Sequence, residues 1–129
     1  MNKLDKESVI GISALLVHAA NIDENYSDHE KDLVKEFIKS YLKKENSDEI
    51  LKKAEEIEKN SNQLLNYTNI IKQNSLEIKK DIIEHLWKVL ISDNTVDQYE
   101  SNLMRRICGL IYFPDKECAE IKLKLINSK

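Results

Sequence analysis

The chain has 129 residues, enough for one domain with its own core, and is 33% charged against 41% hydrophobic. Its net charge of −3, with signs interspersed and no basic stripe with interleaved aromatics, argues against a nucleic-acid partner. Two Gly and one Pro are too few for a turn-rich β fold and favour long helices.

The first residues carry mixed charge, with acids where a signal peptide would be basic. The apolar run Val9 to Ala20 is too short to span a bilayer and is broken by Ser13 and His18. A cytoplasmic protein without a transmembrane segment is the expectation, and Cys108 and Cys118 suit that compartment. Their spacing matches no zinc motif, so they read as two small, half-buried hydrophobes.

A first helix is predicted over 5–21, capped by the Asp5 carboxylate. It is apolar nearly all round, which suits a central helix covered on several sides. Gly11 costs about 1 kcal/mol of helix propensity and signals close approach by another backbone. A second helix starts at Ser27, where Ser27 and Glu30 have capping-box spacing. Leu33, Val34, Phe37, Ile38, Tyr41 and Leu42 then repeat at helical spacing. Asn46 to Glu49 reads as another capping box, opening a more polar helix over 47–59. A short helix is predicted over 63–72, weakened by Asn66, Thr68 and Asn69.

Asn74 to Glu77 forms a third box, before a helix over 75–92 lined by Ile82, Ile83, Leu86, Trp87, Leu90 and Ile91. Trp87 reads as core. Asp97 caps a helix reaching Tyr112, Pro114 stops it, and Asp115 caps a last helix over 116–126. The expectation is all-α: about seven helices in one bundle domain over 1–129.

The chain is internally repeated. Asp93 stands 70 residues after Asp23, and at that offset Tyr26 matches Val96, Ser27 matches Asp97 and Glu30 matches Glu100. Flanking apolar residues match too: Leu16 with Leu86, Leu33 with Leu103, Phe37 with Ile107. The unit is helix, short acidic loop, helix, used twice. A lone helical hairpin cannot bury its stripe; two packed together can. Symmetry then suggests that both acidic loops lie on one side.

Two readings of the loops stand side by side. Asp23, Asn25, Asp28, Glu30, Asp93, Asp97 and Glu100 are hard oxygen donors, and both loops together could hold a divalent cation. Equally, Ser27 with Glu30 and Asp97 with Glu100 are accounted for as helix caps, and Asp23 and Asp93 as Asx-turns. An EF-hand is excluded, because Asp28 stands where the turn Gly belongs and Val34 where the bidentate Glu belongs. His18, His29 and His85 share no ligand spacing. No nucleophile–base arrangement or Gly-rich phosphate loop is present, so a catalytic role is not expected. Arg105-Arg106 reads as a solvated dipeptide or a contact for an anion or partner.

The two stretches from Leu16 to Glu30 and from Leu86 to Glu100, followed by Leu103 to Ile107 and Pro114-Asp115, resemble the tellurite-resistance TerB-like family. The resemblance runs over nearly the whole chain. It implies an all-helical fold with the acidic motifs close together, links to chemical stress, and a setting often near the membrane, so peripheral association belongs to it. It also implies a divalent-metal role. Carried over position by position, the metal residues would be Asp23, Glu30, Asp93 and Glu100. Family loops commonly carry Gly after the first Asp, whereas Glu24 and Asn94 stand here, a departure that bears on loop geometry. A related helical domain occurs in a membrane-anchored DnaJ-like co-chaperone. The alternative function is therefore a metal-free protein-interaction module with an unknown protein partner. The His-Pro-Asp signature of a J-domain is absent from the chain.

Overall fold

The computed structural model of the chain describes residues 4–21, 27–60, 64–91 and 98–127. Those residues form seven helices and no strand: α1 (Lys6–Ala20), α2 (Asp28–Tyr41), α3 (Ser47–Asn60), α4 (Leu64–Lys72), α5 (Leu76–Ile91), α6 (Gln98–Leu110) and α7 (Asp115–Asn127). No helix is long and apolar enough to cross a membrane among the described residues.

α1 is the centre of the bundle. Val9, Ile12, Ala14, Leu15, Leu16, Val17, Ala19 and Ala20 are all buried, and α2, α3, α4 and α5 pack around the helix. A helix this apolar finds no stable place at a surface. Asp5 starts it, accepting a 2.7 Å hydrogen bond from the Ser8 N–H. Gly11 marks a close approach as expected, but to a side chain rather than a backbone: an added Cβ would stand 2.8 Å from the Ile70 Cδ1 on α4.

The helix starts follow the local caps, with one correction. At α3, the Asn46 Oδ1 accepts from the N–H of Asp48 at 2.9 Å. At α5 the cap is Ser75, not Asn74: the Ser75 Oγ accepts from the Ile78 N–H at 3.3 Å. Asn74 instead donates its side-chain amide to the Ile70 carbonyl at 2.7 Å, closing the end of α4. An Asn beside a Ser admits either cap; the carbonyl left open by α4 decides which residue serves. Thr68, which weakened the prediction for α4, is buried there, and the neighbouring Tyr67 hydroxyl donates to the Ile57 carbonyl of α3.

α6 ends in a Schellman turn. The Phe113 N–H reaches the Cys108 carbonyl at 2.9 Å and the Tyr112 N–H reaches Gly109 at 3.4 Å. Tyr112 takes the left-handed position, with φ 59°, where Gly is usual. The turn folds α7 back against α6, and α7 also packs on α5.

Candidate functional site

The first acidic motif leads into α2, whose start is fully capped. The Glu30 Oε1 accepts from the Ser27 N–H at 2.9 Å and from its hydroxyl at 3.2 Å. In return the Ser27 Oγ accepts from the Glu30 N–H at 3.3 Å. Glu30 is buried, which a carboxylate tolerates because it is hydrogen-bonded. Asp28 and His29 are exposed.

Of the four residues singled out for a metal, Glu30 is the one whose side chain can be described. Asp23 and Asp93 lie outside the described residues, as do Asn25 and Asp97. Glu100 falls on α6, but its side chain is also outside them. Among the described residues no group of three or more His, Cys, Asp or Glu could hold a metal ion.

The helices that carry the two motifs nevertheless have a defined relation. Three contacts give α2 and α5 an antiparallel register. The Tyr41 hydroxyl donates to Asp81 at 2.6 Å. The ring centroids of Phe37 and His85 stand 5.1 Å apart, edge to face. Glu36 meets the Lys88 Nζ at 3.7 Å. Following that register, Ile91 at the end of α5 is level with Leu33, about one helical turn from Glu30. α1 also runs antiparallel to α2, because Lys6 near its start pairs with Glu45 beyond the end of α2 at 3.6 Å. The chain therefore leaves α1 and α5, and enters α2, at one end of the bundle.

Glu58 on α3 also reaches that end, and sequence reasoning missed it. Its carboxylate takes the Asn21 side-chain amide at 3.2 Å and meets the His18 Nδ1 at 3.4 Å. The partners are 37 and 40 residues away in sequence, so no local spacing signals them.

A second missed constellation joins α2 to α5. Asp81 accepts from Tyr41 and lies 3.6 Å from the His85 Nε2. Burial, helped by the Asp81 carboxylate, pushes the Tyr41 phenol well above its usual pKa. Burial also holds His85 below its usual value, against the opposing pull of Asp81. His85 is buried against Phe37. The group ties two helices together through a neutral imidazole and a phenol that keeps its proton.

No curated protein and no solved structure matches the chain significantly. A family model does: that of tellurite resistance protein TerB, over residues 10–123. That match takes in α2 to α6 whole and most of α1 and α7, so the chain belongs to the TerB family.

Proposed function

We propose that this chain is a non-enzymatic accessory or scaffold protein of the stress response that binds a divalent cation between its two acidic loops. Asp23 and Asp93 are the principal ligands, with Glu30 and Glu100 beside them. The observation that carries the reading is the antiparallel register of α2 and α5, read from Tyr41–Asp81, Phe37–His85 and Glu36–Lys88. With it, the helices preceding both acidic motifs end on the same side.

The donor chemistry fits a hard cation such as calcium, magnesium or manganese, which prefers carboxylate and carbonyl oxygens. Glu30 is compatible with that role. Its Oε1 holds the Ser27 N–H and hydroxyl, which fixes the carboxylate at the start of α2. Bound there, the ion would supply charge neutralisation between carboxylates and a cross-link between the two helical hairpins. Glu30 would hold the start of α2 rigid through Ser27, so that the loop before it is anchored at one end.

Thermal unfolding with added metal tests this. Calcium, magnesium, manganese or zinc is expected to raise the melting temperature, with about 2.7 kcal/mol of stabilisation at 100 times Kd. Asp23→Asn combined with Asp93→Asn should abolish the shift. An unchanged melting temperature for the native chain at millimolar metal would overturn the reading.

A further inference from the structure

α5, α6 and α7 border an open groove of about 560 Å³, a volume usual for small-molecule sites, which run from about 300 to 1,000 Å³. α6 supplies Ser101, Met104 and Arg105, and α7 supplies Asp115, Cys118, Ala119 and Lys122. Spacings of three and four residues put each set on one helix face. The buried lining residues, Trp87 of α5 with Met104 and Cys118, form the floor. Apolar surface continues past the groove. Exposed Ala119 is followed by Leu123 and Ile126 on the same face of α7. Leu123 is 57% exposed and Ile126 40%, so an open apolar strip runs from the groove along the helix.

The charges at the groove are mainly positive. Arg105 is exposed and Lys122 half-buried, and neither forms an ion pair among the described residues. The Lys122 Nζ lies 5.3 Å from the Trp87 ring centroid instead. Asp115 is the one acid lining the groove among the described residues, and it stands in the first turn of α7, where the helix end carries partial positive charge. Lys122 is two turns further on, about 10 Å along the axis. The neutral polar groups offer donors: the Ser101 hydroxyl, and the Trp87 Nε1–H, which is buried without a hydrogen-bond partner among the described residues.

An apolar floor that opens onto a linear apolar strip suits a chain of methylenes. Two unpaired cations beside it suit a carboxylate, which the Arg105 guanidinium can hold through two parallel hydrogen bonds. An ammonium head would meet Arg105 and Lys122 as like charges, and a hydroxyl head would leave both unmatched. We propose that the groove between α5, α6 and α7 binds a free fatty carboxylate, with its head between Arg105 and Lys122 and its tail over Ala119 and Leu123. Binding there needs no metal, so it stands or falls apart from the cation reading of the acidic loops.

Trp87 is the only tryptophan in the chain, so its emission reports on the groove. The test titrates the full chain, in EDTA, with hexanoate, octanoate and decanoate below their micelle concentrations, by fluorescence and calorimetry. Decanoate should move the Trp87 emission while circular dichroism stays unchanged. Affinity should rise by about two- to four-fold per added methylene. Octanol and octylammonium should each bind about ten-fold or more weaker than octanoate. Arg105→Gln should remove most of that preference for the carboxylate, and Leu123→Ser should flatten the dependence on chain length. Both residues are exposed, so both variants should keep the fold. Octanol or octylammonium binding as tightly as octanoate, affinity independent of chain length, or unchanged affinity in both variants would each overturn the proposal. So would an emission change given by phosphatidylglycerol vesicles or by poly-glutamate but not by decanoate, which would assign the groove to a membrane or to a protein partner.

Discussion

His85 shows what a single side chain does here. Its ring packs edge to face on Phe37, and burial keeps it neutral by lowering its pKa from the ordinary 6.5. The unfolded chain therefore binds a proton that the folded chain refuses. Stability is full above pH 6.5 and is lost as pH falls from there through the lowered folded value. Urea midpoints measured on either side of pH 6.5 should show that loss, and His85→Gln should flatten the profile in that window. Asp5 and Asp48 act in a different range. Their carboxylates are held below the ordinary 3.8, by Ser8 and Lys35 respectively, so their contribution is lost only at still lower pH. Equal pH slopes in the native chain and in His85→Gln would place the near-neutral titration elsewhere.

At the scale of the element, helix starts are decided by side chains within three residues of the cap. Asp5, Ser27, Asn46 and Ser75 each satisfy backbone N–H groups that the helix leaves open. Ser27→Ala removes the hydroxyl that holds the Glu30 N–H. It should cost about 1 kcal/mol in chemical denaturation, the usual loss at such a cap. Glu30 keeps its bond from the backbone of Ser27 in that variant, so any affinity for metal should survive. A complete loss of metal affinity in Ser27→Ala would mean that the hydroxyl does more than cap. The helix ends are less regular than the starts. Tyr112 sits in the left-handed position, and the Lys72 Nζ lies 4.7 Å from its ring centroid, joining the α6 turn to the end of α4.

At the scale of the whole molecule, the duplicated units differ in what surrounds them. α1 packs against α2, α3, α4 and α5, and its counterpart α5 against α1, α2, α4 and α7; the neighbours differ, and α5 alone of the two borders the groove, through Trp87. The repeat is thus approximate in packing. If one cation joins the two loops, Asp23 and Asp93 act on the same ion and their effects on metal affinity will not add. A double-mutant cycle with Asp23→Asn and Asp93→Asn, read by calorimetric Kd, should give a coupling of about 0.5–3 kcal/mol. Additive losses would mean two separate loops, each with its own ion.

The all-α fold, the seven helices, the central place of α1 and the caps at Asp5, Ser27 and Asn46 are legible in the sequence. Each depends on residues within one or two turns of one another, and a capping hydroxyl or an apolar stripe acts at that range wherever it occurs. The 70-residue repeat is legible for the same reason, as one local pattern written twice. Other features have no local signal: the Ile70 methyl against Gly11, Asn74 serving α4 in place of α5, the Glu58 carboxylate at the end of α1, and buried His85 with Asp81 and Tyr41. These join side chains brought together by helix packing, and packing angles and turn geometry are properties of the assembled bundle. The register of α2 on α5 is of that kind. Symmetry in the sequence suggests only that both acidic loops lie on one side; the register itself comes from three contacts between the helices.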